Sequence, residues 1–203
     1  MRILKKAFLL LLTLNFIRIF VSCGCPDDYD YFRFNQISVS NLDNSGLYAI
    51  NSTSDSMLYK AVAFQVTVSD SGGYLYTNLP KISDFGFTSA MAMRKCDYPF
   101  KPMNPVASLK IKTIYPINGE TPENSDVTDQ FVISTTSGGN LYISVTDYIA
   151  GLANKVYGNP GETFNIILKT EVEHPLARFA IEVTLDNGTL FNTTTRTITI
   201  LNN

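Results

Sequence analysis

Apolar and polar residues alternate along most of the chain after residue 32, and this period of two predicts β-strands. The segments with this pattern are rich in β-branched and aromatic residues. They cover residues 32–40, 58–69, 85–95, 107–115, 130–135, 141–146, 163–173, 177–186 and 190–201. We therefore expect an all-β domain.

Three of these strands carry their large apolar residues at alternate positions, which predicts the face that is buried. These residues are Val62, Phe64, Val66 and Val68; Phe164, Ile166, Leu168 and Val172; and Phe179, Ile181, Val183 and Leu185. The positions between them are more polar. In the strand from Ala177, Arg178, Glu182 and Thr184 are expected to point to solvent.

Turn signals and one helical segment complete the predicted architecture. Asp186-Asn187-Gly188 predicts a hairpin with a type I′ turn, and the pairs Gly72-Gly73 and Gly138-Gly139 predict two further turns. Residues 147–155 have helical spacing and are expected to cross between sheets. Nine short strands and at most one short helix favour a two-layer, immunoglobulin-like β-sandwich.

The first residues predict export and lipid attachment. Arg2, Lys5 and Lys6 precede an apolar run, and the small residue Ser22 precedes Cys23. This order is typical of a lipoprotein signal peptide over residues 1–22, with Cys23 as the acyl acceptor. Residues 23–31, which include Asp27, Asp28 and Asp30, would form an acidic tether. Residues 32–203 would form the sandwich domain.

Two alternatives for the N-terminus stay open. An uncleaved membrane anchor needs roughly 20 apolar residues, and residues 7–22 are fewer and interrupted by Asn15 and Arg18. A plain secretory signal normally has an Ala-x-Ala pattern, which is missing from this segment.

Charge and cysteine content limit the partners. Loss of residues 1–22 removes four of the 16 basic residues and leaves 12 against 18 acidic ones, a formal net charge of −6. This sign argues against nucleic acid and anionic lipid headgroups. With Cys23 acylated, Cys25 and Cys96 remain and are expected to form a disulfide outside the inner membrane, with two unpaired thiols as the alternative.

Several short segments together resemble uncharacterised surface lipoprotein domains of the Bacteroidetes type. They are Ser22-Cys23-Gly24-Cys25, the acidic residues that follow, Cys96 after a strand, residues 125–131, and the closing hairpin at 179–200. The resemblance implies an outer-membrane lipoprotein that faces the cell surface, with a periplasm-facing protein as the alternative. Asp55-Ser56-Met57 is similar to the O-glycosylation acceptor of such proteins, which makes Ser56 a candidate site.

Candidate chemistry is sparse. Glu120, Glu123, Asn124, Asp126 and Asp129 crowd one loop and could hold Ca²⁺, but turn capping by Ser125 or Asp126 explains them better. His174 is the single histidine, and no Gly-x-Ser-x-Gly elbow accompanies it. A hydrolase would need a pair of carboxylates, and the sequence selects no pair among Asp70, Asp84, Asp147, Glu162, Glu171 and Glu182.

Glycan binding has the support of the resemblance, since glycan capture is a common task of such lipoproteins. The chain has no tryptophan, but Tyr74 and Tyr76 flank a glycine pair and could stack on a sugar. We expect a binding or interaction module for a glycan or a protein partner, held at the membrane by its lipid, without catalysis, cofactor or metal. The alternatives are a paired-carboxylate hydrolase and a structural component of a surface assembly.

Overall fold

The computed structural model describes residues 29–46, 49–70, 99–134 and 142–201. Within these ranges the chain forms β-strands, one α-helix and one short 3-10 helix. The elements in chain order are β1 (Asp30–Phe32), β2 (Gln36–Asp43), β3 (Ile50–Asn51), β4 (Ser56–Leu58), β5 (Val62–Ser69), β6 (Phe100–Pro102), β7 (Val106–Thr113), the 3-10 helix (Thr128–Gln130), β8 (Phe131–Ser134), β9 (Tyr142–Ser144), α1 (Val145–Leu152), β10 (Gly161–Leu168), β11 (Leu176–Ala177), β12 (Phe179–Leu185), β13 (Leu190–Thr194) and β14 (Ile198–Leu201).

The strands form two main sheets and two small ones. The largest sheet has the order β3-β2-β5-β10-β8-β9, and all its neighbours are antiparallel. A three-stranded antiparallel sheet has the order β13-β12-β7. The small sheets are β11-β14-β4, in which β14 and β4 run parallel, and the parallel pair β1-β6.

The six-stranded sheet and the β13-β12-β7 sheet contribute their inner faces to one apolar core. Phe64 of β5 and Phe131 of β8 both meet Phe179 of β12, with ring centroids 6.1 and 5.2 Å apart. All three rings are almost completely buried. The prediction of an all-β sandwich with one short helix is thus confirmed.

The predicted buried faces are also confirmed. All twelve apolar residues assigned to the inner faces of β5, β10 and β12 and to the segment after β10 are buried in this core. Arg178, Glu182 and Thr184 are partly exposed, as expected. One difference is that Leu42, Ala63 and Ile167 are buried on the opposite face of the large sheet, where they form a second, small cluster.

Several predicted strands are split in two, because their halves pair with different sheets. The segment 190–201 divides into β13, which pairs with β12, and β14, which pairs with β4 and β11. The segment 32–40 divides into β1 and β2, and β1 begins at Asp30, two residues before the expected domain boundary. The predicted strand 85–95 and both glycine-pair turns lie outside the described residues.

The hairpin at residues 186–188 is present, but its turn is not of type I′. Gly188 has a positive φ of 82°, whereas Asn187 does not, since Asn124 is the single such non-glycine residue in the described ranges. The Leu185 N–H donates to the Thr189 carbonyl at 2.9 Å and closes a longer loop. A longer loop needs positive φ at the last turn position, where glycine has no steric penalty.

The predicted helix lies two to three residues earlier than expected, over Val145–Leu152. The Ser144 hydroxyl caps it by accepting the Asp147 N–H at 3.1 Å. The helix joins β9 to β10, two strands of the same sheet, so the expected crossover between sheets was wrong. It instead packs against β7 of the facing sheet, because Ile149 and Leu152 place an apolar face there.

A buried amide fixes the entry of the chain into the sandwich. Asn104 accepts the Phe34 N–H through Oδ1 and donates through Nδ2 to the Phe34 carbonyl, both at 2.9 Å. We expect Asn104→Ala to lower the free energy of unfolding by about 2–4 kcal/mol, because two buried backbone groups lose their partners. Asn192→Ala, at an exposed position of β13, should change it by less than about 0.5 kcal/mol. Urea denaturation measures both, and equal small effects would contradict this role.

Candidate functional site: an uncharged face of the six-stranded sheet

The outer face of the six-stranded sheet is built from the strand positions that alternate with the core positions. The strand registers arrange these residues in rows. The rows are Gln36, Ser69 and Gly161; Ser38, Thr67 and Thr163; Ser40, Gln65, Asn165, Ser134 and Tyr142; and Asn51, Leu42, Ala63, Ile167, Val132 and Ser144. None of these described positions carries a charged side chain. We call this surface the uncharged face.

Lateral hydrogen bonds hold the polar side chains of the uncharged face in place. The Thr67 and Thr163 hydroxyls lie 3.0 Å apart, and Gln65 Nε2 donates to Asn165 Oδ1 at 3.0 Å. The Gln65–Asn165 bond leaves Gln65 Oε1 as an acceptor and further amide hydrogens as donors. Ser38, Ser40 and Thr163 are exposed beside this pair. The face therefore presents exposed hydroxyl groups beside an ordered amide pair, in which Gln65 is half-buried and Asn165 is 8% exposed.

The outer face of the three-stranded sheet has a different composition. It carries Lys110, Lys112 and Glu182, and Lys112 Nζ lies 2.7 Å from Glu182 Oε1. Protein surfaces usually contain about 25–35% charged residues with both signs mixed. The β13-β12-β7 sheet follows that pattern, whereas the uncharged face departs from it.

A buried carboxylate lies near the start of β10 on the core side. Glu162 is 7% exposed, and Lys155 Nζ contacts its two oxygens at 2.7 and 2.8 Å. The Tyr148 hydroxyl also donates to Glu162 Oε1. Burial and this hydrogen bond raise the pKa of Tyr148, and burial with the Glu162 charge raises the pKa of Tyr157. Both phenols therefore stay neutral at physiological pH. Because Tyr148 of α1 and Lys155 just after it both contact Glu162, the cluster attaches the end of α1 to β10.

The other described candidates for a paired-carboxylate site have structural partners of their own. Glu171 contacts Lys60 at 3.1 Å, and Glu182 contacts Lys112. Asp70 accepts a hydrogen bond from Asn35 at 2.9 Å, and Asp147 belongs to the helix cap. Asp84 lies outside the described residues. Each of these described carboxylates therefore has a structural role in its own part of the fold.

His174 also has a structural position. Its Nδ1 lies 2.9 Å from the Leu176 carbonyl oxygen and 3.1 Å from the Leu176 amide nitrogen, across the turn at Pro175. The ring stacks on Tyr115 with a centroid distance of 5.7 Å. The imidazole therefore closes the turn at Pro175.

The acidic loop is organised by turn capping. Asp126 Oδ1 accepts the Thr128 N–H at 3.1 Å and the Thr128 hydroxyl at 2.6 Å. Burial alone would raise the pKa of Asp126, but these bonds and the charges of Lys110 and Lys112 outweigh it and lower the pKa. Within the described ranges, no group of three or more His, Cys, Asp or Glu side chains is placed to hold a metal ion.

Five further residues singled out in the sequence lie outside the described residues. These are Cys23, Cys25, Cys96, Tyr74 and Tyr76. Ser56 lies half-buried on β4, the edge strand of the β11-β14-β4 sheet, and its hydroxyl is 3.2 Å from that of Ser54. Its neighbour Asp55 contacts Arg196 at 2.5 Å.

Sequence reasoning missed the uncharged face, although the sequence contained a signal for it. The outward polar positions of β2, β5 and β10 are Ser, Thr, Gln or Asn, without one charge, although the predicted strand 163–173 continues into Lys169, Glu171 and Glu173. Their neighbours across the sheet could not be identified without the strand order. The outward residues of each strand could therefore be identified separately, but the surface that they form together could not.

Comparisons with known proteins found no matching family model, no matching curated protein and no matching solved structure. Among the described residues, no helix has the length and apolar character needed to cross a membrane. Functional inference therefore depends on the residues and their geometry.

The Glu162 cluster gives a stability prediction. Lys155→Met removes the cation from a buried carboxylate, and we expect it to lower the free energy of unfolding by about 1–3 kcal/mol. Lys60→Met provides the control, because the Lys60–Glu171 pair is exposed and solvent screens it, so its loss should barely change the stability. Urea denaturation of both variants measures the difference. A Lys155→Met protein as stable as Lys60→Met would show that the cluster does not hold α1 to β10.

Proposed function

We propose that this protein is a lipid-anchored outer-membrane lipoprotein, exposed at the cell surface, whose β-sandwich is a non-catalytic binding module. The uncharged face is the observation that carries the proposal. A solvated sheet with no binding task usually carries charges, which keep proteins soluble and separate. The uncharged face is partly exposed, at Ser38, Ser40 and Thr163 among others. A partner can cover it without removing any charge from water, which would be costly.

The contacts of the titratable groups support binding over catalysis. A catalytic carboxylate or imidazole needs access to a substrate and a tuned proton affinity. Glu162, Glu182 and His174 instead use their polar atoms in the ion pairs and turn contacts that hold the sandwich together. Their neighbours explain them without a substrate.

The anchor is proposed at Cys23, on the basis of the charged start, the apolar run and Ser22. Each buried acyl methylene contributes about 0.8 kcal/mol of membrane affinity, so two or three chains hold a protein firmly. We expect wild-type protein to enter the detergent phase in phase partitioning and Cys23→Ala to remain in the aqueous phase. Equal aqueous partitioning of the two proteins would refute lipidation.

The proposed Cys25–Cys96 disulfide has support from the parallel pair β1-β6. Asp30 pairs with Phe100, and the Asp30 N–H donates to the Pro99 carbonyl at 3.1 Å. The first residues of the two parallel strands, Asp30 and Phe100, therefore lie side by side. Cys25 precedes Asp30 by five residues and Cys96 precedes Phe100 by four, so the register favours their approach.

Non-reducing peptide mapping tests this disulfide. We expect one linked peptide pair containing Cys25 and Cys96 in protein exported to an oxidising compartment. Closing a loop of this length stabilises a fold by about 4 kcal/mol in the chain-entropy model, less any strain. Cys96→Ser should therefore melt at a lower temperature. Recovery of both cysteines as free thiols from exported protein would rule the disulfide out.

A photo-crosslinking experiment tests the binding function without knowledge of the ligand. A photoreactive amino acid replaces Ser38 on the uncharged face or, as a matched control, Ser108 on the three-stranded sheet. In intact cells that carry the protein in their envelope, we expect a high-mass adduct at position 38 and none at position 108. Adducts at neither position, or equally at both, would contradict the proposal.

An activity screen separates the binding module from the hydrolase alternative. The purified protein is incubated with polysaccharides, and released reducing ends are measured. We expect none above background. Turnover that disappears when a single carboxylate is replaced by its amide would favour the hydrolase.

A further inference from the structure

We propose that the uncharged face binds a neutral polysaccharide, with the chain lying across the strands along the row Ser40, Gln65, Asn165, Ser134 and Tyr142. This inference deepens the proposed binding function and depends on it. It assigns both the class of ligand and the part of the sheet that holds it.

The absence of charge argues first against charged ligands. Nucleic acids and anionic glycans are held largely by Lys and Arg contacts to their phosphates or acid groups. The uncharged face supplies no cation at any of its described positions. The outer face of the β13-β12-β7 sheet does carry two lysines, Lys110 and Lys112 of β7. A cationic surface for such ligands would therefore lie on that sheet.

The residue types also argue against a protein interface. The centre of a protein–protein interface is enriched in aromatic residues, Met and Arg and is depleted in Ser. The centre of the uncharged face has Gln65, Thr67, Thr163 and the buried Asn165, its apolar residues Ala63 and Ile167 are already buried within the chain, and its aromatic residue, Tyr142, lies on the edge strand β9. Such a centre offers little apolar area to a protein partner.

A neutral sugar chain matches the groups that remain. Each sugar hydroxyl is both a donor and an acceptor, and so is each Ser or Thr hydroxyl, while Gln and Asn amides supply one of each kind. The Gln65–Asn165 bond fixes the orientation of both amides. Fixed groups lose less conformational entropy when a ligand binds, which favours the bound state.

The length of the row suits an oligosaccharide. Neighbouring strands lie about 4.8 Å apart, so five strands span roughly 19 Å. This is enough for several consecutive sugar rings. At the edge, Tyr142 is 55% exposed and provides an aromatic ring on which the C–H face of a sugar can pack. The row thus combines hydrogen-bonding groups with one stacking ring.

Native affinity electrophoresis tests this assignment on the full mature protein in detergent micelles. The gels contain a neutral polysaccharide, with dextran, mannan and xylan run separately, or polygalacturonate as the anionic counterpart. Ser40→Glu introduces a charge into the row, and Tyr142→Ala removes the stacking ring at an exposed position of the edge strand β9. Ser108→Glu is the matched control on the facing sheet.

We expect at least one neutral polysaccharide to retard the wild-type protein and Ser108→Glu equally. The apparent affinity should fall at least tenfold in Ser40→Glu and about fivefold in Tyr142→Ala. Retardation by none of the neutral polysaccharides, or equal retardation of all variants, would overturn the assignment, as would stronger retardation by polygalacturonate.

The crosslinking experiment distinguishes this assignment from the binding function on which it depends. An adduct between position 38 and a protein, without polysaccharide binding, would overturn the ligand class and leave the binding module. Absence of any adduct at position 38 would overturn the binding module itself. A carbohydrate adduct at position 38 would support both.

Discussion

The packing of the two main sheets through Phe64, Phe131 and Phe179 is the constraint on which the rest of the structure depends. These rings belong to β5, β8 and β12, and they meet at centroid distances of 5.2–6.1 Å. Because side chains alternate along a strand, burial of these positions sends the intervening residues to the opposite face. A shift of one residue in β5 would bury Gln65 and Thr67 and expose Phe64. The core therefore determines which residues form the uncharged face.

Some polar side chains stabilise the fold, and others form the uncharged face. Asn104, His174 and Asp126 satisfy backbone groups at chain entries and turns. The Lys155–Glu162 pair attaches α1 to the large sheet. Each of these groups is explained by its immediate neighbours. The hydroxyls and amides of the uncharged face are different, because they bond to each other along the sheet, where Ser38, Ser40 and Thr163 are exposed while Asn165 is buried. A surface of that kind supports the proposed binding role.

Sequence patterns predicted the local features and missed the non-local ones. Alternation identified the buried faces of β5, β10 and β12, because burial of one face imposes a period of two. It could not show that the segment 190–201 divides between two sheets or that β1 pairs in parallel with β6, since those pairings join residues far apart in the chain. The Asn187-Gly188 pair predicted a hairpin correctly, but the loop length selected a different turn. The uncharged face required the order of the strands, which no local pattern contains.

Backbone amide NMR of the isotope-labelled protein, titrated with a short neutral oligosaccharide, would locate the bound ligand on the sheet. We expect the largest chemical-shift changes on β2, β5 and β10, around Ser40, Gln65 and Asn165, and on Tyr142 of β9. The amides of β7 and β12 should not change. Changes centred on Lys112 and Glu182, or no change at saturating oligosaccharide for any member of a neutral panel, would contradict the proposed binding site.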